Sequence, residues 1–354
     1  MKEKFDYQNP PCLCGSGKLY KDCCKKKIDI SKDIRIFKSY MQEFLTMHNK
    51  YKKLCLHPQQ NECSNTKTHA HTISQKAVLD LISENGKVLM PLAFGITNEF
   101  RMEPLGIESK ATKFYCFCSK HDGIFSPIDK QQVDYNHYNC FLYAYRTFAS
   151  TYYKVSREVD CYYKLRDKYD LTPFAPALLM YKYMEINMTY LKEIKEKFDR
   201  AIITDSYDIL ENIKISLDYK VYFAAATCFC LPIDLYGNII AYEKNELPLV
   251  YISIIPDKEN TNIIFSWLKE DSTIYSSFKE QISNTPTKFL LKYLNNLLPL
   301  SCENLTISPK LWSVWGAGQS EFLSLAHTAL INDNISKISQ EYFQERKYNL
   351  FFKL

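Results

Sequence analysis

A chain of 354 residues, 46% hydrophobic and 24% charged, is long enough for two or three domains and too apolar to be disordered overall. Its net charge of +5 is a mild excess, which argues against a strongly basic polyanion binder and makes any nucleic-acid contact local. The longest apolar run, 221–233, is too short to span a bilayer and is broken by Pro232, and Met1-Lys2-Glu3-Lys4 opens no apolar signal segment. A cytoplasmic protein with no membrane partner is expected. In that compartment thirteen cysteines read as metal ligands more readily than as disulfides.

The first element met is Cys12-Leu13-Cys14-Gly15-Ser16-Gly17, followed by Lys18-Leu19-Tyr20-Lys21-Asp22-Cys23-Cys24. Two cysteine pairs flank a Gly-Ser-Gly turn. The glycines allow the backbone to reverse with φ > 0, so four thiolates can converge on one ion, and tetrahedral sulfur ligation suits Zn²⁺. The pattern resembles the SEC-C motif over residues 9–27. The resemblance implies that Cys12, Cys14, Cys23 and Cys24 are the ligands, and that the module docks a protein partner without itself being an enzyme. Lys25-Lys26-Lys27 adds a basic run beside it.

Asp29, Ser31 or Asp33 then offers a cap to an amphipathic helix over about 33–54. The block 55–126 gathers Cys55, His57, Cys63, His69, His71, Cys116, Cys118 and His121. A helix over about 74–83 and strands over about 88–94 and 112–118 are expected in it. Cys118-x-x-His121 has zinc-knuckle spacing, and Cys55 with Cys63 can supply the other half of a Cys₃His site across a long insertion. Cys116 is left out of the ligand set.

The order of these residues resembles that of zinc-bearing HNH, or ββα-metal, nucleases. That resemblance implies His71 as the general base that activates water, Asp122 as a metal-binding residue by position, a divalent Mg²⁺ or Mn²⁺ at the leaving oxygen, and DNA or RNA as substrate. The alternative is that His69 and His71 are structural residues or further zinc ligands.

Residues 137–168 and 175–200 keep helical spacing and are expected as an antiparallel pair. Tyrosines interleaved with Arg146, Lys154, Arg157, Lys164 and Arg166 can either stack on nucleic acid or pack a core. Beyond residue 201 the period changes. Strands are expected at 213–217, 220–230, 247–255 and 262–267, with a Gly237-Asn238 hairpin. Helices are expected at about 274–283, 286–298, 318–331 and 333–347. Cys228, Cys230 and Cys302 read as buried thiols and His327 as a structural histidine.

The fold class expected is α+β and multi-domain: an N-terminal zinc clip (1–27), a small zinc-centred α/β module (28–130), a helical pair (131–204) and a C-terminal antiparallel sheet with helices (205–354). The function expected is a zinc protein that binds or acts on nucleic acid, with a non-catalytic adaptor as the alternative.

Overall fold

The computed structural model describes residues 12–94, 99–173, 175–240, 248–331 and 341–354. In chain order its elements are β1 (Ile28–Asp29), α1 (Ile34–Asn49), β2 (Lys67–His71), α2 (Asp80–Ile82), β3 (Lys87–Phe94), β4 (Glu99–Gly106), β5 (Lys113–Cys118), α3 (Ser119–Asp122) and α4 (His137–Lys168). There follow β6 (Tyr169–Asp170), α5 (Ala175–Ile203), β7 (Leu210–Leu217), β8 (Phe223–Cys230), β9 (Leu249–Pro256) and β10 (Thr261–Leu268). The chain closes with α6 (Ser276–Asn284), α7 (Thr287–Ser301), β11 (Asn304–Ile307), α8 (Pro309–Val314) and α9 (Gly318–Ile331). The fold is mixed α+β, as expected.

Two compact units are interleaved in sequence. The smaller comprises 1–53 with 152–196, and the larger 54–151 with 197–354. The helical pair α4–α5 is therefore divided between them.

In the smaller unit Asp33 is the residue that caps α1, its side chain accepting the Arg35 backbone N–H at 2.8 Å. The helix ends at Asn49, earlier than the apolar stripe suggests. Tyr40 of α1 packs edge-on against Tyr169, in a small core with Ile30, Tyr162, Leu165 and Leu171. Strand β1 pairs in parallel with β6, Ile28 opposite Tyr169 and Asp29 opposite Asp170.

The larger unit is built on a seven-stranded antiparallel sheet, order β4-β3-β11-β8-β9-β10-β7. Strands β9 and β10 are buried along their whole length, as their β-branched and aromatic residues favour. Leu290, Leu294, Leu297 and Leu298 of α7 recur at helical spacing and join the same core. Fully burying each such leucine stabilises by on the order of 2 kcal/mol.

Two features were not visible in the sequence. The short β11 enters the sheet between β3 and β8. Through it β3 and β4, which lie between β2 and β5 in sequence, become part of the C-terminal sheet. The helix expected at 333–347 falls partly on 332–340, outside the described residues; 342–347 form turns and irregular backbone. The expected helix at 74–83 begins as a π turn, Gln75–Leu79, before α2.

Candidate metal centres

Local backbone geometry makes the first centre. Gly15 and Gly17 take φ of +78° and +73°, values that favour glycine. The loop closes with the Cys12 N–H bonded to the Lys18 carbonyl at 2.8 Å. Two short 3₁₀ turns, Tyr20–Asp22 and Cys24–Lys26, then bring Cys23 and Cys24 back. Cys12, Cys14, Cys23 and Cys24 are all buried, with sulfurs within 4.8 Å of one another. Cys14 and Cys23 are 3.5 Å apart and Cys23 and Cys24 are 3.9 Å apart.

Long-range contacts make the second. Cys55 is placed by the Leu54 and Leu56 N–H groups, which bond to the Tyr115 and Cys116 carbonyls at 3.0 and 2.8 Å. A 3₁₀ turn, Gln60–Glu62, delivers Cys63. Strand β5 ends at Cys118, and α3 turns His121 inward. The ligand atoms converge on one point: the sulfurs of Cys118, Cys55 and Cys63 lie 3.3, 3.4 and 3.6 Å from His121 Nδ1.

These distances test the fit to zinc. A tetrahedral ion with Zn–S of about 2.3 Å and Zn–N of about 2.05 Å sets its ligand atoms about 3.5 Å apart for S···N and about 3.8 Å apart for S···S. Both groups match, and both can hold a metal ion with the donor set that zinc prefers. No disulfide joins any of the thirteen cysteines.

Electrostatics splits each set. Burial pushes the Cys14 thiol up, but the Ser16 hydroxyl and the Cys12 thiol outweigh it and bring it down to about 6. Burial likewise opposes ionisation of Cys118, and hydrogen bonds from the His121 N–H and the Ser64 hydroxyl and N–H lower it to about 6. Burial raises Cys55 to about 11 and pushes Cys12 and Cys24 up as well. Each centre therefore has one thiol already inclined to the thiolate that a metal requires.

Several supporting residues escaped the sequence. The Gln60 side-chain amide donates to the Cys55 carbonyl at 2.7 Å and to the His57 carbonyl, which ties the first knuckle together. The His57 ring stacks on His121 at 3.9 Å, inclined by 8°. At the first centre, Arg166 donates to the Cys14 carbonyl at 3.3 Å while its guanidinium lies over the Tyr163 ring. Lys27 donates to the Arg166 carbonyl, and the Tyr20 hydroxyl to Asp170 at 2.9 Å. The last three hydrogen bonds, from Arg166, Lys27 and Tyr20, carry no local signal, because their partners lie 139 to 152 residues apart.

His71 and Asp122, the two residues expected to act on substrate, belong to neither converging group. His71 ends β2 opposite Lys113, whereas Lys67 at the other end pairs with Cys118. About 13 Å of strand separates those ends at about 3.3 Å per residue. Asp122 lies beyond Cys118, half-buried, its carboxyl pushed up by burial despite the nearby Arg146 guanidinium. His71 Nδ1 instead meets the Thr112 hydroxyl at 3.4 Å. Among the described residues no third group of His, Cys, Asp or Glu converges as the two centres do. The residues described around His71 and Asp122 thus do not fit an Mg²⁺ or Mn²⁺ site. His69 lies in β2 between these ends, and its side chain is outside the described residues.

The Tyr-rich face of α4 packs a core. Phe141, Tyr145 and Phe148 are buried against Phe198, and Arg146 is buried and paired with Asp129 at 2.7 Å. Among the described residues no helix is long and apolar enough to cross a membrane. Cys228 and Cys302 are buried, and Cys230 is partly so. No family model, no curated protein and no solved structure matches this chain.

Proposed function

We propose that the protein is a zinc-stapled nucleic-acid-binding protein whose two metal centres are structural. The four-ligand closure of both centres supports this reading, since a catalytic zinc keeps a position open for water or substrate. A SEC-C identity for the clip belongs to the same reading. The observation that carries the nucleic-acid assignment is the surface of the clip. Lys18, Lys21 and Lys25 are exposed around the buried sulfurs, and among the described residues none of them enters an ion pair. Three uncommitted ammonium groups on one small knuckle favour a phosphate backbone.

The test is a mobility-shift titration of single-stranded RNA and DNA at several salt concentrations. Wild type should bind, with log K falling as salt rises by about 0.7 per phosphate contact. The Lys18→Ala/Lys21→Ala/Lys25→Ala variant should bind at least tenfold more weakly and lose about 2 from that slope. Wild type that shifts neither nucleic acid at low salt overturns the reading. The clip then stands as a docking site for a protein partner.

A second reading is phosphodiester hydrolysis, as in HNH-like enzymes, with His71 as the proton acceptor. The contact between His71 and the unusually folded Thr112 favours it. Plasmid nicking across divalent metals, wild type against His71→Ala, decides. Equal activity in the two proteins, or none in either, removes the enzyme.

A further inference from the structure

We infer that His57 is a positioning residue of the second metal centre: its ring, laid flat on the His121 ring, keeps His121 Nδ1 turned to the three sulfurs. The inference rests on the reading of that centre as a structural zinc site. Its starting point is the far side of the His121 ring. With Nδ1 facing the sulfurs, Nε2 points away from them. It is buried, and among the described residues it meets no hydrogen-bond partner. A histidine that holds a metal ordinarily donates this second N–H to a carboxylate, a carbonyl or a water, and that bond sets the angle of the ring. Another contact has to orient His121.

The stack supplies it. The ring centroids are 3.9 Å apart and the planes differ by 8°, so at van der Waals separation His57 blocks rotation of the His121 ring about its Cβ–Cγ bond. His57 is itself held. It is buried, its Nδ1 accepts the Gln59 N–H at 3.3 Å, and its carbonyl accepts from the Gln60 side chain, which also reaches the Cys55 carbonyl at 2.7 Å. The stack is therefore anchored in the 55–63 segment that supplies two of the sulfurs. His57 is not itself a ligand, because its nitrogens do not join the four atoms that lie within 4.8 Å of one another. What it contributes is the ring face, which also attracts the positive charge that a bound ion places on the His121 imidazole.

The experiment is a zinc titration against a chromophoric chelator, on the full chain carrying Cys23→Ser/Cys24→Ser so that only the second centre is read. Into this parent go His57→Phe, which keeps a flat ring, and His57→Leu, which fills the space without one. His57→Ala repeats the loss without overpacking, should the leucine variant fail to fold. His57→Leu and His57→Ala should bind zinc about 10- to 100-fold more weakly than the parent, and His57→Phe should stay close to it. Cobalt(II) in place of zinc gives a second readout. Its visible band should shift in His57→Leu as His121 turns away from the ion, whereas a role in folding alone lowers the amount bound and leaves the band in place. Parental affinity in both His57→Leu and His57→Ala overturns the inference. So does a His57→Phe as weak as His57→Leu, which gives the role to the His57 nitrogens and not to the ring face. A parent that holds no ion removes the zinc reading of this centre, and the inference with it; a parent that holds one while either of the other results is found removes the inference alone.

Discussion

Two four-ligand groups that can each hold a metal ion are built by opposite routes. The first takes its four ligands from thirteen consecutive residues, and two glycines and two 3₁₀ turns suffice to close it. The second takes Cys55 and Cys63 from one segment and Cys118 and His121 from another, and the β2–β5 ladder with the Leu54 and Leu56 hydrogen bonds must form first. A local site can be filled early and then docked. A non-local one is stable only with the fold that assembles it, because the cost of closing the intervening chain is met by tertiary contacts.

The largest expected effect separates the two routes. Cys118→Ser should lower zinc content from two per chain to one and strip hydrogen-exchange protection from 67–71 and 113–118 together. A structural zinc contributes on the order of 10 kcal/mol where binding and folding are coupled, so its loss should register first as weakened protection of the hairpin. Cys24→Ser should also lose one zinc, but the loss of protection should stay within the clip, β1 and β6. Native mass spectrometry with exchange mapping checks both. Either variant that still holds two ions breaks the comparison.

A middle-sized effect follows from the thiols. In chelator-stripped protein Cys14 and Cys118 titrate near 6, below the ordinary thiol value, so the unfolded chain binds more protons than the folded one in that window. Their contribution to stability is complete above the ordinary value of about 8.5 and is lost as pH falls through about 6. Cys55 has the opposite sign: raised to about 11, its contribution is complete below the ordinary value and lost as pH rises through about 11. Thermal melts of the stripped protein should therefore decline on both sides. A midpoint unchanged between pH of about 8.5 and about 5.5 contradicts the acid limb.

The smallest effect isolates docking from metal binding. Tyr20→Phe removes the 2.9 Å bond to Asp170 without touching a ligand. It should cost about 1 kcal/mol in a denaturant melt and leave zinc content unchanged. Lost zinc would mean that the clip depends on its dock.

The sequence by itself determined the first centre, the α+β class and most of the long helices and strands, because each of these rests on spacing within a few residues of chain. Gly15 and Gly17 can be read as a turn without knowing what lies beyond them. Only the tertiary structure decided that β11 carries β3 and β4 into the large sheet, that Arg166 reaches the Cys14 carbonyl, and that Arg146 of α4 is buried in the core. It also placed His71 beside Thr112, at the end of the ladder opposite the Lys67–Cys118 pair. Pairings across forty or a hundred and fifty residues leave no periodic trace in the chain, and only packing chooses among them.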